Sequence, residues 1–204
     1  LIYNKRNPEI SYGGFAVEWY EKLKRYFPVE EMKSREHMEL LLDDKGEVYH
    51  KDENKNHVML YAEFDTFIFI DYLWVSSESR GQGIGHQLIE KLKKKNKPII
   101  LEVEPVNYED TDTEKRLRFY SRENFKHADS IIYRNRSFQT DEDAPLEILY
   151  WSPNDESEAL IYEQMKTIYE EIHTYKAKEI YGKEIDPVER ALEYKEADDE
   201  EIEA

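Results

Sequence analysis

The chain is predicted to adopt an α+β fold: a mixed central sheet with helices on both faces, continued by a C-terminal helical extension. Three observations predict it. Apolar runs of strand length alternate with stretches of helical periodicity between residues 15 and 152. One of these runs, Phe67–Val75, is apolar at nearly every position, which suits a central strand covered on both faces. The stretch Arg80-Gly81-Gln82-Gly83-Ile84-Gly85 then joins that run to a helix-like segment, His86–Leu92. Glycine spacing between a strand and a helix marks a turn that takes positive φ or lets an anion approach the main chain.

The elements follow in order. Residues 15–27 carry Phe15, Trp19, Leu23 and Tyr26 or Phe27 on one helical face. Pro28 breaks that helix and opens a second, Val29–Leu42, because its missing N–H costs nothing in a first turn. Met32, Met38, Leu41 and Leu42 mark its apolar side. Asp43–Gly46 is a turn, Glu47–Lys51 a short strand and Asp52–Asn56 a hairpin turn. His57–Phe64 and Phe67–Val75 are strands joined by Asp65-Thr66. A helix over 83–95 ends at Asn96-Lys97-Pro98, and a strand over 98–104 closes at Pro105. Asp110–Thr113 supplies the cap of a helix running to about Asn124. Ala128–Arg136 and Glu147–Trp151 read as two further strands. A first strand, if one precedes the helices, falls at Ile2-Tyr3 or Ile10–Tyr12.

After Pro153 a helix is expected up to Tyr181, capped by Asn154-Asp155 or Ser157 and ended by Gly182. Ile161, Met165, Ile168, Ile172 and Tyr175 form its apolar stripe. That stripe packs on its own domain, covers a substrate groove, or joins a second copy of the chain in a homodimer. Asp186-Pro187 opens a last short helix before an acidic end, Glu196–Ala204, which reads as a solvated tail. The expected organisation is a poorly defined segment 1–14, a domain 15–153 and an extension 154–204.

Composition narrows the function. The absence of cysteine excludes disulfides, thiolate nucleophiles and cysteine-held metals. No apolar run reaches membrane-spanning length and no secretory leader stands at the N-terminus, so a cytoplasmic protein is expected, with no membrane partner. A net charge of −17 argues against nucleic acid and tolerates a cationic substrate. Six histidines, at 37, 50, 57, 86, 127 and 173, occur at no metal-binding spacing, and no metal is expected.

The glycine stretch points to phosphate, held by unpaired N–H groups at a helix start. A dinucleotide fingerprint would need glycine at position 86, which is histidine, and no G-x-x-x-x-G-K-[ST] occurs. Arg80-x-x-Gly83-x-Gly85 instead resembles the coenzyme A loop of the GNAT family of N-acetyltransferases, written [QR]-x-x-G-x-[GA]. The order of elements is similar to that family's acyl-CoA N-acyltransferase fold over roughly residues 15–152. The wording of Arg116–Phe125 resembles an uncharacterised Firmicutes branch.

The resemblance implies acetyl-CoA as co-substrate, with its pyrophosphate on the main chain of Arg80, Gly81, Gln82, Gly83, Ile84, Gly85 and His86. It implies that the strand at Phe67–Val75 splays from the one at Ile99–Glu104, and that the thioester carbonyl meets the backbone around Leu73, Trp74 and Val75. Tyr120, five residues before Phe125, falls where the family carries its thiol-facing tyrosine. Thr113 and Arg116 stand where members often have Asn and Ala.

An amine must lose a proton before it attacks. Glu63, Asp71, Glu102 and Glu104 interrupt otherwise apolar strands, and a charge there needs a reason. All four, Glu63, Asp71, Glu102 and Glu104, are candidate bases. Arg116, Arg118 and Arg122 are candidate phosphate partners, although their spacing spreads them around a helix. The expected activity is acetyl transfer to a primary amine by direct attack. A peptide N-terminus, a lysine side chain, a polyamine, an aminoglycoside and a small metabolite all remain open as acceptors. The alternative is a catalytically weak acyl-CoA-binding regulatory or interaction module of the same fold.

Overall fold

A computed structural model of the chain describes residues 18–107 and 111–195. The expected first strand, Phe15, the cap residue Asp110 and the acidic end lie outside them. The described elements are α1 (Trp19–Tyr26), α2 (Arg35–Asp44), β1 (Tyr49–Glu53), β2 (His57–Glu63), β3 (Ile68–Val75), α3 (Ile84–Lys93), β4 (Ile99–Val103) and α4 (Thr111–Arg122). After these come β5 (Lys126–His127), β6 (Ile131–Tyr133), β7 (Glu147–Trp151), α5 (Glu158–Ile168), α6 (Ala177–Tyr181), α7 (Val188–Ala191) and β8 (Leu192–Tyr194). Six strands form one sheet in the order β1-β2-β3-β4-β7-β5, while β6 and β8 pair separately. Among the described residues only β3–β4 is a parallel pair in the large sheet, and α3 is the crossover that parallel pairing requires.

Alternation along the strands divides the core in two. Val58, Leu60, Phe69 and Ile100 face a layer made by α1, α2 and α5. Met59, Ile68, Ile70, Ile99, Leu101 and Val103 face α3 and α4. In β3 the parity then switches, so that Tyr72 and Trp74 join Phe69 on the first face. The cause is a bulge: Leu60 pairs with Tyr72 and Tyr61 with Ile70, which leaves Asp71 as the extra residue. Glu102 shares the parity of Ile100 and lies on the face of α1, α2 and α5.

Three expectations change. The second helix begins at Arg35, because Ser34 caps it by accepting a hydrogen bond from the His37 N–H at 3.2 Å. Pro28 starts only a 3-10 turn, Val29–Glu31, before the chain extends through Met32. The strand expected at Ala128–Arg136 is broken by a turn at 129–130 into β5, which pairs with β7, and β6, which pairs with β8. The long C-terminal helix is interrupted too. After α5, Tyr169–His173 widens into a π turn closed by a hydrogen bond from Thr174 N–H to Tyr169 O at 2.9 Å. Lys176 then takes a left-handed conformation before α6, which ends at left-handed Gly182. Ile161, Met165, Ile168 and Ile172 are fully buried in the same cluster as Leu23, Leu41 and Phe69. Among the described residues no helix is long and apolar enough to cross a membrane.

Candidate functional site

Strands β3 and β4 part midway. Their ladder runs from Ile68–Ile99 to Ile70–Leu101, yet β3 continues to Val75 and β4 to Val103. The bulge at Asp71 bends β3 at this point. The fork opens into a cleft of about 710 Å³ lined by Asp71, Leu73 and Val75 on one side and Leu101 and Glu102 on the other, a size suited to a small-molecule ligand. Trp74 turns its ring to the opposite face, beneath the Lys22 ammonium at 5.8 Å, so it offers the fork only its main chain.

The glycine stretch forms one end of this cleft. Gly81 and Gly83 have φ values of 76° and 79°, the left-handed region where a side chain is strained. Nothing stands within 4 Å of the place a Cβ would take at either, so the main chain there is open to approach. Gly83 caps α3 without a side-chain bond, leaving the first N–H groups of the helix for a ligand. Gly85 answers a different need, since a Cβ there would lie 3.0 Å from the Phe119 ring. Arg80 stacks over Tyr26 at 5.0 Å, with Nε donating to Val75 O at 3.3 Å. Ile84 lines the cleft, whereas Gln82 folds back to donate to Glu78 O at 2.9 Å. The His86 imidazole pairs with Glu123 at 3.0 Å, which leaves its backbone at the helix start. Glu90 and Glu123 lie within ligand distance of His86, and Lys93, at 3.1 and 3.7 Å from the two carboxylates, already supplies their positive charge.

Tyr120 is buried on α4 and lines the cleft, edge-on to Phe119 at 5.1 Å and Phe125 at 5.4 Å. Burial pushes its phenol well up, against the opposing pull of Arg116, so the hydroxyl keeps its proton. The four carboxylates differ in what they have free, and Glu63 is taken by Lys95 at 2.6 Å and Lys97 at 3.2 Å. Asp71 has both oxygens engaged, Oδ1 by Lys33 at 2.6 Å and Oδ2 by the Tyr49 hydroxyl at 2.6 Å. That is the geometry of an anchor, tying the segment before α2 to the bulge. Glu104 accepts from Arg116 Nη1 at 3.1 Å and shares a hydrogen bond with Glu31. Burial first, and Glu104 second, push the Glu31 carboxyl from the ordinary 4.5 up to about 9, so the pair holds a proton between them. Glu102 meets His173 Nε2 at 2.8 Å.

The arginines of α4 divide as their spacing requires. Arg116 points inward, its guanidinium 5.7 Å from the Tyr26 ring and 5.8 Å from Phe27. Arg118 pairs with Glu114 in solvent, and Arg122 lines the cleft. Among the further residues that line it, to which local pattern gave no role, are Glu31, Lys33, His173 and Tyr181. Tyr181 accepts from the Ser34 N–H at 2.8 Å and stacks on Phe138. No sequence signal links it to position 34, because the two meet only through the fold.

Comparison with known proteins gives a concordant result. A family model described as the acetyltransferase (GNAT) domain matches residues 41–127, which span β1 to β5. The Bacillus subtilis protein "Putative acetyltransferase YjbC" is 62% identical over 177 residues, covering 87% of this chain and 92% of that one. A solved structure from Bacteroides thetaiotaomicron, "Putative acetyltransferase from GNAT family", superposes with a TM-score of 0.58 at 23% identity, covering 81% of this chain and 90% of that one. This second likeness concerns the fold.

Proposed function

The chain belongs to the GNAT family of N-acetyltransferases, and from that premise we propose that it moves an acetyl group from acetyl-CoA to a primary amine by direct attack. The observation that carries the reading is the fork between β3 and β4, which runs into a glycine turn with open space around two left-handed glycines. A long, thin thioester with a pyrophosphate at one end fits that shape. In this reading the N–H groups at the start of α3 hold the pyrophosphate. The backbone of Leu73–Val75, unpaired by β4, meets the thioester carbonyl and stabilises its developing negative charge. Tyr120, kept protonated by burial, supplies or orients the proton for the departing thiolate. Asp71, doubly engaged, holds the acceptor-side loop and takes no proton from substrate.

Calorimetry of coenzyme A binding tests the assignment. Gly83→Val, which forces a β-branched residue into φ 79°, is expected to abolish binding while the protein stays folded. Unchanged affinity in that variant removes the loop from the site. The competing reading, a catalytically weak acyl-CoA-binding module, predicts coenzyme binding with no transfer to any amine.

A further inference from the structure

We propose that the segment after β7 completes the active site, with His173 as the group that takes the proton from the attacking amine and Glu102 as the residue that positions its ring. The role rests on the acetyl-transfer reading and deepens it. His173 is carried on the π turn between α5 and α6. Both Ile172 and His173 face inward there, fully buried and 8% exposed respectively. His173 reaches the cleft at the point where β3 and β4 separate. Glu102 is the first β4 residue beyond the last paired one, Leu101.

The ring is fixed on three sides. Nε2 lies 2.8 Å from the Glu102 carboxylate, Phe69 meets the ring edge-on at 5.4 Å, and Tyr133 stacks against it at 6.1 Å. Among the described residues no hydrogen-bond partner engages Nδ1. In a neutral ring that donates Nε2–H to Glu102, Nδ1 carries the free lone pair. A carboxylate that selects the tautomer and a buried imidazole that takes the proton form the arrangement used for base catalysis elsewhere.

Nδ1 removes a proton from the substrate ammonium, and the freed lone pair forms the C–N bond at the thioester carbonyl carbon. The C–S bond breaks, the sulfur leaves with its electron pair, and the proton shed by the new amide nitrogen matches the one the thiolate takes up. The proton on His173 returns to water.

The test uses the full chain. Long-range imidazole ¹H–¹⁵N correlation, with His173 assigned from the signal lost in His173→Gln, should show the neutral ring protonated at Nε2. Glu102→Leu should release it to mixed tautomers and lower kcat, while Glu102→Gln, whose side-chain oxygen still accepts from Nε2–H, should restore both. Thiol release from acetyl-CoA is then followed with a panel of amines: a short peptide with a free N-terminus, Nα-blocked lysine, spermidine and kanamycin. His173→Gln should lower kcat by ~100-fold or more with coenzyme A affinity unchanged. A ring protonated at Nδ1, or a His173→Gln enzyme within twofold of the parent, overturns the role while leaving acetyl transfer standing. A parent that binds coenzyme A yet acetylates no amine in the panel overturns both.

Discussion

Two residues that line the cleft, Tyr120 and Glu31, carry the sharpest expectations. Tyr120 is held by Phe119 and Phe125 with its hydroxyl kept protonated by burial. Tyr120→Phe is expected to leave coenzyme A affinity intact and to lower turnover at least tenfold, about 1.4 kcal/mol in barrier. Turnover within twofold hands the thiolate's proton to another group or to water. Glu31 gives a stability expectation of definite sign. Its folded-state pKa is raised from 4.5 to about 9 by burial and by Glu104. The unfolded chain therefore ionises this carboxyl before the folded one does, and its contribution is full below about pH 4.5 and lost as pH rises toward about 9. Glu31→Gln should flatten that decline, read as melting temperature against pH. A parallel decline in the variant rules Glu31 out as its source.

At the scale of elements, α3 and α4 meet beside the cleft at Gly85 and Phe119. Gly85 allows that approach, since a Cβ there would meet the Phe119 ring at 3.0 Å. Gly85→Ile should therefore cost roughly 1–3 kcal/mol through overpacking and push Phe119, which lines the cleft, out of position. Denaturant melts measure the first effect and coenzyme A affinity the second. A variant as stable as the parent would mean that the helices separate freely. The π turn is the other decisive element. It carries Ile172 and His173 side by side, both buried.

For the whole molecule, the chain after Pro153 is part of the fold. Ile161, Met165, Ile168 and Ile172 are fully buried against α1, α2 and the sheet, and β8 returns to pair with β6. Each buried side chain of this kind contributes ~1.5–3 kcal/mol before entropy is deducted. Their sum rivals the ~5–15 kcal/mol net stability of an ordinary domain. A chain cut after Pro153 is expected to lose its cooperative melt and bind an apolar dye. If it melts at the parent's temperature, the segment is only a tether.

The sequence by itself determined the elements around the fork and the family resemblance. Apolar alternation, the proline stops and Arg80–Gly85 are local signals, because strand period, helix period and positive φ are properties of neighbouring residues. The tertiary structure decided which strands pair, where the bulge falls and which carboxylate is free. Glu102, Glu104 and Asp71 look alike in the sequence, and they differ only because His173, Arg116 with Glu31, and Lys33 with Tyr49 reach them from distant positions. Likewise β6 finds its partner in β8 across nearly the whole C-terminal segment. A charge takes its role from what packs against it, and packing between distant segments leaves no period in the chain.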